Sequence, residues 1–238
     1  MNVEINGPKI LGYLFGNTNL PITETMRNAW IIMAFILLLC IFLTHRMEKI
    51  PKGKQAFAEK AVLMIDSLVD STMGEGCRAF SPYIMTLMMS SLFGSLASLF
   101  WMRSTTADLN TTLGWAIITF ILITYNKIKF GGIGGYLKGF LEPIFVMAPL
   151  NVLSEIATPV SMSFRHFGNI AGGLVITTLI MGALKVLSNA VLGFLPVPLL
   201  QIGLPGVLSL YFDCFTACMQ AFIFSMLTMA YVGDARGS

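Results

Sequence analysis

"EPIFVMAPLNVLSEIATPVSMSFRHFGNIAGGLVITTLIMG", residues 142–182, is a 41-residue stretch that is apolar almost throughout yet carries Glu155, Arg165 and His166 near its middle. As an α-helix rising 1.5 Å per residue it would extend roughly 60 Å, about twice the hydrocarbon thickness of a bilayer. A helix of that length cannot stand upright in a membrane. Pro143, Pro149 and Pro159 are placed to bend or interrupt it, because proline lacks the N–H that a helix interior uses. The stretch therefore predicts a strongly tilted or nearly horizontal helix, and a helix lying slantwise in lipid needs another protein surface to pack against.

The rest of the chain agrees with a membrane setting. Of the 238 residues 55% are hydrophobic and 11% charged, against roughly 25% charged in a soluble domain. Further apolar runs lie at 28–44, 82–102, 112–126 and 205–232. Lipid offers no partner for backbone N–H and C=O groups, so runs this continuous predict helices and not barrel strands. The expected fold is an all-α integral membrane protein with about five membrane-embedded helices, the last two long, tilted and paired. A single membrane domain over 1–238 divides into an external segment 1–27, a first span 28–44, a helix 54–73, a helical hairpin 82–126 and a long tilted hairpin 140–232 joined through Pro196 and Pro198. Within 54–73, Phe57, Ala61, Met64, Ile65, Leu68 and Val69 share one helix face and Glu59, Asp66 and Asp70 the opposite one. That stripe is too interrupted for a span and predicts an amphipathic helix in the membrane interface; packing on a soluble subunit is the alternative.

The net charge of +3 is small, and the basic residues sit in loops, which excludes a nucleic-acid-binding patch. Arg46, Lys49, Lys52, Lys54 and Lys60 form the densest basic cluster, so the loop after the first span is expected to be cytoplasmic. The N-terminus and the loop 103–111 with Arg103 then lie outside. The segment "NKIKFGGIGGYLK" (126–138), with Lys127, Lys129 and Lys138, returns inside, as does Arg236 after five crossings. Residues 1–27 lack the basic region and cleavage site of a signal peptide, so no cleaved segment is expected. Cys40, Cys77, Cys214 and Cys218 are scattered and predict no disulfide framework. Cys214 and Cys218 share a helix face, where inert buried thiols are the reading preferred over a soft-metal site. No G-x-x-x-x-G-K-[ST] phosphate loop occurs, so nucleotide chemistry is expected on other subunits, and no cofactor is expected here.

Stepping from Arg165 by three or four residues meets Asn151, Ser154, Thr158, Ser161, Asn169 and Gly172, all on one helix face with Glu155 beside them. On the final helix Asp213, Thr216 and Gln220 repeat the pattern. A single Ser or Thr in such a helix usually bonds back to its own backbone. The charged residues need more, since each costs about 2.5–3.5 kcal/mol at mid-membrane and such residues face a cavity or a partner. A static Arg165–Asp213 or Arg165–Glu155 ion pair is one alternative. His166 points about 100° away from Arg165 on a helix, which makes it the weaker candidate for a relay. A secondary transporter would carry internal repeats, and no second copy of the Arg165 segment is present. A purely structural subunit would leave Arg165, Glu155 and Asp213 without purpose.

Four segments, "TADLNTTLGWAI" (106–117), "YNKIKFGGIGGY" (125–136), "PLNVLSEIATPVSMSFRHFGNIAGG" (149–173) and "MQAFIFSMLTMAYV" (219–232), resemble the a subunit of F-type rotary ATP synthases in order and spacing. The resemblance implies a non-catalytic subunit that carries protons or sodium ions, a bacterial plasma-membrane location, and a place in the F1Fo complex beside b-type peripheral stalk subunits. It implies that Arg165 is the stator arginine facing the carboxylates of a ring of c subunits, with Asn169 beside it and Gln220 approaching from the last helix. Asp213 and Glu155 then belong to two offset half-channels, with Ser161 and His166 as further candidates near the ion path. Two departures stand out. Leu174 occupies a position where many members place Glu or His, and His166 one where Leu is usual, so the half-channel on the Asp213 side is expected to use a different residue set.

Overall fold

The computed structural model describes residues 7–13, 21–100, 102–141, 145–191 and 203–237. A short antiparallel pair, β1 (Ile10–Tyr13) and β2 (Pro21–Thr23), leads into α1 (Glu24–Thr44). Then follow α2 (Lys54–Met73), α3 (Ser81–Leu96), α4 (Leu109–Leu141) and α5 (Ala148–Val191). A short α6 (Leu204–Ser209) runs through a π-helical turn, Leu210–Phe215, into α7 (Thr216–Asp234). Among the described residues five helical segments are long and apolar enough to cross a membrane: Glu24–Thr44, Arg78–Phe100, Leu109–Leu141, Phe145–Ser188 and Gly206–Asp234.

Polarity is arranged for lipid and not for water. Large apolar side chains such as Leu37, Leu38, Ile121 and Leu153 are exposed, while Ser91, Ser95, Thr112, Thr119, Ser163 and Thr228 are buried. Their hydroxyls join helices: Thr112 meets Ser163 at 3.1 Å, and Thr119 meets Thr228 at 3.4 Å and Tyr83 at 3.3 Å. Where lipid tails are as apolar as leucine, close packing of small residues and interhelical hydrogen bonds drive association. One apolar cluster anchors the end of the bundle, with Ile65, Val69 and Met73 of α2 packed among Ile84, Ile123, Met229 and Val232. Gly233 allows a close approach there, since a Cβ would come within 3.2 Å of the Met73 backbone.

Three expectations change. The apolar face of α2 is divided: Ile65 and Val69 are buried against the bundle, whereas Phe57 and Met64 point outward, 68% and 57% exposed. Residues 126–138, expected as a loop, continue α4 as helix to Leu141 with a single break at Gly132, where φ is 69°. Glycine enters that left-handed region without the Cβ penalty. Finally, α5 extends to Val191, and as 44 residues it would measure about 66 Å. Pro149 falls in its first turn, where the missing N–H costs nothing. Pro159 lies inside the helix without ending it. Pro143, Pro196 and Pro198 lie outside the described residues.

Candidate functional site

Helix α5 packs along α4 and also meets α7 and the π-helical turn. Its polar stripe is left on the open side: Ser154, Ser161, Arg165 and Asn169 are exposed. Among the described residues Arg165 takes part in no hydrogen bond and no ion pair. The static pairs with Glu155 or Asp213 are therefore not formed. A guanidinium left uncompensated on an apolar helix is costly in lipid, where such groups face a water-filled cavity or a partner.

Two cavities flank this arginine along α5. The first, about 580 Å³, contains Glu155, Lys127, Tyr136, Asp234 and Arg236. Glu155 accepts from Lys127 Nζ at 2.9 Å and from the Tyr136 hydroxyl at 3.4 Å. Asn151 donates to the Phe140 carbonyl at 2.9 Å, and Thr158 donates back to the Ser154 carbonyl at 3.0 Å, the ordinary role of a helical threonine. Because Pro159 has no N–H, the Glu155 carbonyl loses its α-helical donor at this same level. Arg165 follows Glu155 by ten residues, about 15 Å along the helix.

The second cavity, about 320 Å³, is lined by Asp213 with Ser98, Arg103, Ser104, Ile170 and Leu174. A hydroxyl cluster shapes its wall: Ser95 and Ser104 meet the Thr106 hydroxyl at 2.7 and 2.9 Å. The Arg103 carbonyl accepts from Asn28 at 2.9 Å, tying α1 to the same loop. The π-helical turn presents Asp213, whose carboxylate accepts from Ser209 at 2.6 Å. Gly173 lies against this turn, where a Cβ would come within 3.0 Å of the Phe212 side chain. Such wide turns insert an extra residue into a helix and often occur at functional sites. Here that extra residue breaks the seven-residue register between Asp213 and Gln220 assumed from an α-helical period. Asp213 is half-buried in the cavity, whereas Gln220 is buried on the packed face of α7 with Ala217, Ala221 and Phe224 and does not line the cavity.

His166 stands apart from the stripe. It is fully buried, meets the Ser91 hydroxyl at 3.3 Å through Nε2, and lies edge-on to Trp115 and Phe224, with ring centroids at 6.0 and 5.5 Å. Lys127, Tyr136 and Arg103 line the two cavities and were not among the candidates read from the sequence. Lys127 and Arg103 carried a signal, a charge beside an apolar run, but it was absorbed into the topology of the loops.

Residues 26–233 match the family model of the ATP synthase A chain. The chain is 30% identical to "ATP synthase subunit a, sodium ion specific" of Propionigenium modestum, covering 98% of this chain and 86% of that relative. It is 35% identical to ATP synthase subunit a of Desulforamulus reducens over 89% of this chain and 78% of the relative. A subunit a of Moorella thermoacetica matches at 31% identity over 90% of this chain and 91% of its own length. With a family match over most of its length and relatives of one kind across nearly all of it, this multi-pass membrane protein belongs to the ATP synthase A chain family, the a subunits of ATP synthase.

Proposed function

We propose that the chain is the ion-translocating stator subunit of a rotary F-type ATP synthase, in which Arg165 separates two half-channels that open toward a ring of c subunits. The observation that carries this reading is the placement of Arg165: exposed, without an ion pair among the described residues, and set between a cavity holding Glu155 and one holding Asp213. Arginine keeps its proton at any physiological pH, so it acts as a gate and not as a carrier. A ring carboxylate arriving opposite it is favoured in its charged form and releases its ion into one cavity. Past the arginine it reloads from the other, because a bare carboxylate facing lipid is too costly. Each monovalent ion gains about 2.3 kcal/mol per 100 mV, and the offset between the cavities turns that gain into rotation.

By the positive-inside rule the Glu155 cavity, lined by Lys127 and Arg236, faces the cytoplasm of a bacterial cell. The Asp213 cavity faces outward, and b-type stalk subunits hold the assembly. ATP chemistry resides on partner subunits. The sodium-specific relative makes sodium as well as the proton a candidate ion. The test is Arg165→Ala in inverted membrane vesicles with the complex assembled. Ion-driven ATP synthesis is expected to vanish, and normal coupled synthesis would remove the gate. Arg165→Lys is expected to fail as well, since a desolvated lysine can lose its proton.

A further inference from the structure

Lys127 reads in the sequence as a loop charge, yet its ammonium lies 2.9 Å from Glu155, a carboxylate whose side chain is only 13% exposed. This pair sits where two cavities meet. Lys127, Glu155, Thr158 and Asp234 line both the 580 Å³ cavity and a second one of about 200 Å³ reaching Phe120, Ile123 and Tyr231. Phe120 and Ile123 lie along α4 between Lys127 and Thr112, and Thr112 touches Ser163, two residues before Arg165. The smaller chamber is thus on the Arg165 side of the pair, and the larger vestibule on the other.

We infer that Lys127 is a positioning residue of the inner half-channel, a tethered cation that occupies Glu155 between passages and yields it to each transported ion. The inference rests on the stator reading above. A carboxylate at the neck of a membrane cavity attracts the transported cation, but left bare it would also hold that cation and slow its release. An ammonium fixed on the facing helix competes for the same oxygens, so the ion is drawn in and let go. The ion that enters is the ion that leaves. The other charged and titratable groups facing this neck are Tyr136 on α4, Tyr231 and Asp234 on α7, and Arg236 just after it. Tyr136 also donates to Glu155, and none of these displaces Lys127 from its 2.9 Å contact.

The role predicts a split between affinity and rate that a structural ion pair would not give. In inverted vesicles carrying the intact complex, ATP-driven uptake is followed against proton concentration without sodium, then against sodium at fixed pH, and synthesis is measured in the opposite direction. Lys127→Gln is expected to lower the half-saturating concentration of the coupling ion about three- to five-fold, the scale of a partly exposed pair, and to slow ion-driven synthesis. Lys127→Arg is expected to restore both. In a Glu155→Gln background the Lys127→Gln change is expected to add nothing, since the lysine acts through that carboxylate. Lys129→Gln serves as the control without effect. The proposal is overturned if Lys127→Gln lowers the maximal rate without moving half-saturation, or moves it equally without Glu155. If Lys127→Gln fails to assemble, Lys127→Arg and the double variant still decide. Coupled synthesis in Arg165→Ala would instead overturn the stator reading itself.

Discussion

Glu155 and Asp213 are both carboxylates inside membrane helices, and the structure holds them by different means. Glu155 lies in the larger cavity with an ammonium at 2.9 Å and a tyrosine hydroxyl at 3.4 Å, all from a neighbouring helix. Asp213 has no ion pair among the described residues and is held by Ser209, four residues away in its own segment, at 2.6 Å. One site is built by tertiary contact and the other by a local widening of the helix. A partly neutralised carboxylate in a roomy vestibule tolerates change, because its neighbours and entering water can redistribute. A carboxylate in a smaller cavity faced by Ile170 and Leu174 has few substitutes.

That contrast is most exposed by neutralising each carboxylate in turn. Asp213→Asn is expected to slow ion-driven synthesis at least about ten-fold, a barrier change of roughly 1.4 kcal/mol, while Asp213→Glu keeps a measurable fraction. Glu155→Gln is expected to cost only about three-fold at saturating ion, the scale of losing a partly exposed pair. Synthesis and ATP-driven pumping at matched assembly measure both. Equal losses at the two sites would erase the distinction between the cavities, and unimpaired transport in Asp213→Asn would place the outer path elsewhere.

Solvent access separates the stripe from the packed face. Single cysteines at Asn169 and Asp213 are expected to react with a water-soluble thiol reagent about ten-fold faster than one at Gln220, because thiol reactivity follows exposure. Labelling rates in membranes carrying the assembled complex give the comparison. A fast Gln220→Cys would mean that water reaches the contact between α7 and its neighbours, and that the outer cavity extends further along α7 than its lining indicates.

The parts of this arrangement legible in the sequence are those governed by one helical period. The stripe from Asn151 to Asn169 follows from spacing alone, because an unbroken helix keeps its faces; at 54–73 the same period gives the helix but not the division of its apolar face. Asp213 and Gln220 were placed together by the same rule, and a single π-helical turn undid it. No residue pattern announces such a turn. The segment 126–138 misled in another way: its glycines weaken a helix by about 1 kcal/mol each in water. In an apolar surrounding the backbone must still be hydrogen-bonded internally, so α4 continues and concentrates its irregularity at Gly132. The Lys127–Glu155 contact spans 28 residues of sequence. Spacing along one helix cannot reveal a pairing between two.

The smallest effect is expected at His166, which sequence reasoning placed among the ion-path candidates. Its ring is enclosed by Trp115 and Phe224 with one contact to Ser91, and its Nδ1 has no hydrogen-bond partner among the described residues. A relay needs a second partner to hand an ion onward, and none of the three cavities around α5 described above includes this side chain in its lining. His166→Leu removes a buried nitrogen that lacks a partner and leaves the Ser91 hydroxyl, which can bond back to its own helix. Those two terms oppose each other, so the net change in stability is expected to stay within about 1 kcal/mol. Synthesis is expected to remain within about two-fold of the parent, as for substitutions outside a functional site. His166→Ala should lower thermal stability more, because it leaves a cavity between two aromatic rings. The decisive readings are synthesis in vesicles and the melting temperature of the purified complex. A His166→Leu variant that assembles and melts normally but loses ion coupling would bring the histidine into the path, and with it a route through the centre of the bundle in place of one along the open face of α5.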